Sequence, residues 1–221
     1  MITHTLKVDS ISKDFGDKKV LSDIYLECKT REIVGVLGRN GTGKTTLLKI
    51  IFGIENAENK FVKLDNKVLN TKKSIFNNIS YLSQSSSIPK YFSVNKSIRL
   101  SIEKTKIDEF YNDEFIHKIR EKSISHLSTG ELRYLEIKII LFNNSKFCLL
   151  DEPFSGLSPI MIDKISLMLL QFANTKGIFI TDHNYREIMK ISTKIILIKN
   201  GKSIPIQDYN ELIEHNYLLN L

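Results

Sequence analysis

Residues 38–45 read Gly38-Arg39-Asn40-Gly41-Thr42-Gly43-Lys44-Thr45 and match the pattern G-x-x-x-x-G-K-[ST] at every fixed position. An apolar run, Ile33-Val34-Gly35-Val36-Leu37, precedes it, and a helix-like run, Thr46-Leu47-Leu48-Lys49-Ile50-Ile51, follows. The motif needs this strand–loop–helix setting, and a chance Gly-rich turn would not have it. The glycines let the backbone curl around an anion without Cβ clashes, so successive N–H groups point inward at phosphate oxygens. The following helix adds the positive end of its dipole. Lys44 is placed to reach β- and γ-phosphates, and the Thr45 hydroxyl to ligate Mg²⁺. Gly38, Arg39, Asn40, Gly41, Thr42, Gly43, Lys44, Thr45 and Thr46 are therefore expected to hold a nucleoside triphosphate.

With 221 residues, the chain is long enough for one domain, or one domain with a small insertion, around a full core. No apolar run approaches a membrane span, and Met1-Ile2-Thr3-His4-Thr5 lacks signal-peptide character. A cytosolic protein, held at a membrane by a partner, is expected. Cys28 and Cys148 both sit in apolar strand-like runs and read as buried, reduced thiols. The formal charge of +7 follows from a bias towards Lys, Asn and Ile throughout. Clusters such as Lys72-Lys73 read as solvated faces, and no nucleic-acid partner is expected.

Short strands are expected at 6–8, 24–28, 61–64 and 79–82. From about Ser93 to Asn144 the spacing turns helical, with Ile98, Ile102, Phe110, Phe115 and Ile119 on successive helix faces. Thr129–Asn144 reads as one longer helix with Ser128 as N-cap. Phe147-Cys148-Leu149-Leu150 is a continuous apolar run of the kind found in buried parallel strands. A helix from Pro159 to Thr175, a strand at 177–181, a helix at 185–191 and a strand at 194–199 follow. Asn200-Gly201 signals a hairpin, and 207–221 a short amphipathic helix. The pattern predicts an α/β nucleotide-binding core of mainly parallel strands. Residues 1–84 and 145–221 would form that core, and about 85–144 an inserted helical subdomain.

Asp151-Glu152 closes the buried strand with two carboxylates. The first can hold Mg²⁺, and the second can polarise an attacking water. Gln84 ends another strand, where its amide can coordinate Mg²⁺ or water. His183 follows the third strand end and is placed for a γ-phosphate contact. Leu127-Ser128-Thr129-Gly130-Glu131 opens a helix whose N–H groups and Ser128 hydroxyl can bind an anion, or can form only a capping box. As an anion site so far along the chain, it makes most sense serving a neighbouring molecule's nucleotide.

In this order, Gly38–Thr45, Gln84, Leu127–Glu131, Asp151-Glu152 and His183 resemble the ATP-binding cassette family over nearly the whole chain. An adenylate-type kinase or a small GTPase has a phosphate loop without this later series. The resemblance implies an ATPase with ATP and Mg²⁺ as cofactors, Phe15 stacking on adenine, Glu152 as general base or water-orienting carboxylate, and His183 at the γ-phosphate. Core packing is the alternative for Phe15. Two cassettes would pair head to tail, a homodimer by preference, with Ser128 and Gly130 of one closing over ATP in the other. Closure would drive transmembrane subunits from the cytoplasmic face of the membrane.

Residues 151–160 and 180–187 are similar to the lipopolysaccharide-export and branched-chain amino-acid branch. Residues 85–92 would form the groove for a transmembrane partner's coupling helix. Thr129, Glu131 and Ser158 depart from the usual Gly, Gln and Asp, and motivate an alternative, a weakly hydrolysing regulatory cassette. A cassette acting on nucleic acid is a third possibility, motivated by the charge alone.

Overall fold

Alternating apolar and polar side chains build a long hairpin at the start of the chain. In the computed structural model, which describes residues 2–218, β1 (Thr5–Phe15) and β2 (Lys18–Lys29) pair antiparallel, with Leu6, Val8, Leu26 and Cys28 turned inward. Both strands are longer than the short runs visible in the sequence. Ser10 (φ 55°) and Asp23 (φ 60°) adopt left-handed backbone beside shifts of register. These bulges let the strands continue through residues that break the alternation.

After the hairpin come β3 (Ile33–Leu37), α1 (Lys44–Phe52), β4 (Asn59–Leu64), β5 (Lys67–Val68), α2 (Lys72–Phe76) and β6 (Ile79–Leu82). A helical stretch follows: α3 (Val94–Ser101), α4 (Ile107–Tyr111), α5 (Glu114–Ile119) and α6 (Thr129–Phe142). The chain then alternates through β7 (Phe147–Asp151), α7 (Pro159–Ala173), β8 (Gly177–Thr181), α8 (Tyr185–Ile191), β9 (Lys194–Lys199), β10 (Lys202–Ile206) and α9 (Tyr209–Glu214). The α6 and α7 helices stop two residues before their expected ends. α9 is confined to 209–214, and 219–221 of its expected span lie outside the described residues. Asn200 (φ 51°) and Gly201 (φ 74°) make the expected two-residue turn between β9 and β10.

One sheet is antiparallel, in the order β2-β1-β4-β5. The other runs β10-β9-β3-β8-β7-β6 and is parallel except for β10. Every residue of β3, β7 and β8 is buried, as a parallel strand covered on both faces requires. Alternate residues divide between two cores. Val34, Val36, Leu149 and Phe179 face α1 and the antiparallel sheet. Ile33, Leu37, Leu150, Ile178 and Ile180 face α3 to α8. Cys28 and Cys148 fall in different cores as free, buried thiols. Because β3, β6, β7 and β8 are parallel, all four end on the same edge. That is where α/β sheets bind ligands.

The helical stretch is fastened by charge as well as by apolar packing. The buried Lys138 ammonium on α6 lies 2.6 Å from the Asp113 carboxylate at the N-cap of α5, and Tyr134 donates to the same oxygen at 2.8 Å. Removing one partner strands the other. Asp113→Ala should cost about 3–5 kcal/mol, read as a lower denaturant midpoint, and adding Lys138→Met should recover much of the loss. A double variant no more stable than the single would contradict this pairing.

Candidate functional site

The loop after β3 folds around its own lysine. Gly41 (φ 77°) and Gly43 (φ 95°) take left-handed backbone that a side chain would strain. Lys44 is 7% exposed, and its ammonium donates to the carbonyls of Gly38 at 2.6 Å and Arg39 at 3.3 Å. Burial pulls its pKa down, against the fields of Glu152, Asp151 and Asp182. A cavity of about 530 Å³ opens here, lined by Phe15, Lys18, Val20, Asn40, Gly41, Gly43, Lys44, Thr45, Thr46, Gln84, Glu152 and His183.

Three sequence-predicted groups meet below Lys44. Asp151 ends β7 fully buried. Its Oδ1 accepts from the Thr45 hydroxyl at 3.0 Å, and the Gln84 amide donates to the same Thr45 oxygen at 3.4 Å. Thr181 donates to Oδ1 and Tyr81 to Oδ2, both at 3.0 Å. A hydroxyl, a carboxylate and an amide are hard oxygen donors, the set that suits Mg²⁺ with waters completing its shell. Beside them, Glu152 Oε1 lies 2.9 Å from His183 Nε2. Glu152 holds φ 49°, a left-handed conformation costly for a side-chain-bearing residue.

Phe15 is 51% exposed at the cavity mouth, with the Lys13 ammonium 4.8 Å from its ring centroid. Core packing is therefore not its role. One face of the ring carries that ammonium, while the half-exposed ring lines the cavity.

The other predicted residues lie elsewhere. The Arg39 and Thr42 side chains line a separate cavity of about 240 Å³, on the side of the loop facing His215–Tyr217. There Arg39 donates to the Asn216 carbonyl at 2.5 Å, and Thr42 donates back to the Arg39 carbonyl at 2.9 Å. Ser128 and Gly130 do not line the cavity around Lys44. Ser128 does form the capping box with Glu131, and the Glu131 carboxylate is also paired with Lys122 at 2.7 Å. Against the opposing effect of partial burial, Lys122 and Ser128 hold its pKa below the usual value.

Arg133 went unrecognised in the sequence. It lies 7% exposed on α6 and donates to the carbonyls of Ser83 at 2.7 Å, Asp151 at 2.7 Å and Glu152 at 2.9 Å. Its visible signal is a charge in helical register with buried Ile137 and Leu141. One guanidinium thus ties the ends of β6 and β7 to the helix that Ser128 opens. Tyr81 and Thr181 were missed because hydroxyls in apolar strands read as strand residues.

The comparisons with known proteins agree with this geometry. The ABC transporter family model matches residues 21–155. A lipopolysaccharide export system ATP-binding protein from Haemophilus influenzae is 32% identical over 213 residues, covering 90% of this chain and 88% of that one. Its Escherichia coli K12 counterpart is 31% identical over 228 residues, covering 97% and 95%. Among solved structures, an ATP-binding subunit of an ABC transporter superimposes with a TM-score of 0.84 at 17% identity, covering 96% of this chain and 93% of that one. An ATP-binding cassette in its ADP conformation gives a TM-score of 0.79 at 22% identity, covering 96% and 94%.

This chain belongs to the ABC transporter family. It is an ATP-binding subunit that hydrolyses ATP with Mg²⁺, working in a pair of nucleotide-binding domains with transmembrane subunits. No helix among the described residues is long and apolar enough to cross a membrane.

Replacing Arg133 by Ala leaves three carbonyls without their donor and strands the buried Glu136 carboxylate 3.6 Å from the lost guanidinium. The loss should be about 3–5 kcal/mol in stability, with a fall of at least tenfold in ATPase rate. Arg133→Lys should not restore the rate, because an ammonium lacks the planar fork. Denaturation and turnover measurements check this, and a lysine variant matching the parent in both would contradict it.

Proposed function

We propose that this chain powers a transporter of the lipopolysaccharide-export branch from the cytoplasmic face of the membrane. The observation that carries the site assignment is the meeting of Thr45, Gln84, Asp151, Glu152 and His183 around Lys44 at one sheet edge. Residues 1–84 and 145–221 serve as the catalytic core, and about 85–144 as the helical subdomain. The similarity to the two lipopolysaccharide-export relatives supports the branch.

In this reading the Lys44 ammonium leaves the Gly38 and Arg39 carbonyls for the β- and γ-phosphates. The N–H groups of 40–46 cradle the phosphates, and Phe15 covers adenine. Mg²⁺, when bound, neutralises charge on the phosphate oxygens, held by Thr45, Asp151 and Gln84. His183 turns from Glu152 to the γ-phosphate, which frees the Glu152 carboxylate to orient water and take its proton. Ser128 and Gly130 close over the partner's nucleotide. The capping box occupies the N–H groups of Ser128 and Glu131, so it leaves those of Thr129 and Gly130 to that role. The pairing of Glu131 with Lys122 removes one motive for a weakly hydrolysing cassette, since the extra negative charge is already compensated.

Glu152→Gln should bind Mg·ATP within about twofold of the parent and lose at least a hundredfold in turnover. It should also elute as a dimer with ATP on a sizing column. Parental turnover in that variant would remove Glu152 from its assigned role.

A further inference from the structure

Another buried carboxyl group lies beside this site, with no role assigned to it above. Asp182 stands between Thr181 and His183, 4% exposed. Its Oδ1 accepts from the Asn184 backbone N–H at 2.9 Å, and its Oδ2 from the Phe154 backbone N–H at 2.8 Å. The first contact is a local turn that many polar residues make. The second reaches 28 residues back, to the loop that follows Glu152. Asp182 is not needed to cap α8, because Asn184 is the N-cap and accepts from Glu187 N at 3.3 Å.

Three contacts bracket the left-handed backbone of Glu152. Its N–H donates to the Thr181 carbonyl at 2.8 Å, its carbonyl accepts from Arg133 at 2.9 Å, and the Phe154 N–H two residues on is held by Asp182. Such a conformation persists only where its surroundings over-determine it. Asp182 supplies one of those restraints, and its chain neighbour His183 is the group in contact with Glu152.

We propose that Asp182 is a positioning residue: its carboxylate ties the loop after Glu152 to the loop carrying His183, holding both groups in the register that hydrolysis needs. The proposal rests on the assignment of Glu152 as the water-orienting carboxylate. A carboxylate accepts from both N–H groups at once, whereas an asparagine of the same shape turns a donor towards one of them. Burial pushes the Asp182 carboxyl above its ordinary pKa, while the Asn184 and Phe154 N–H groups oppose that rise.

In the full chain, Asp182→Asn should keep Mg·ATP affinity and KM within about twofold and lower kcat at least tenfold. Faster amide exchange should be confined to peptides covering 153–158 and 183–186. A parental kcat would overturn the proposal, as would a folded variant in which affinity and kcat fall together. If the variant does not fold, the parent chain decides: the Phe154 amide must exchange slowly, and fast exchange there removes the tether. Glu152→Gln measured alongside separates the two readings. Parental turnover in Glu152→Gln sinks the assignment of Glu152. A large loss there, with parental turnover in Asp182→Asn, sinks only the tether.

Discussion

The site depends on burying charged groups at the carboxyl ends of parallel strands and satisfying each of them. Asp151 is fully buried, and three hydroxyls (Thr45, Thr181 and Tyr81) satisfy it. An unpaired carboxylate buried there would destabilise the fold. The Thr45 contact also locks the start of α1 to the end of β7, so the oxygens proposed to hold Mg²⁺ are brought together by the same bond that joins the phosphate loop to the strand that Glu152 follows. Neighbouring Lys44 and Arg133 are cations whose burial is offset by carbonyl oxygens. Their guanidinium and ammonium pKa values are pulled down by burial and supported by the nearby carboxylates.

What the sequence made legible was chemistry tied to a fixed backbone pattern. The phosphate loop showed because its glycines answer a demand for left-handed backbone. β7 and β8 showed because a strand covered on both faces must be apolar throughout. Polar residues at the ends of those strands then stood out as site residues. The resemblance to a family supplied their order and pairing.

What stayed hidden depends on direction and distance across the fold. Nothing local says that Arg39 turns to the Asn216 carbonyl, away from the phosphate cavity, since that partner is 177 residues on. Arg133 reads as one more cation in a Lys-rich chain until its helix face is known. Asp182 shows in the sequence only as the residue before His183. Ser128 admits two readings; the structure forms the capping box, which uses the serine side chain and leaves the N–H groups of residues 129 and 130 outside it.

A crystal structure with Mg²⁺ and a non-hydrolysable ATP analogue tests the central claim most directly. The account predicts the Lys44 ammonium moved from the Gly38 and Arg39 carbonyls to phosphate oxygens, and Mg²⁺ on the Thr45 hydroxyl with Asp151 beside it. Nucleotide bound away from residues 40–46, with Lys44 still on those two carbonyls, would contradict it.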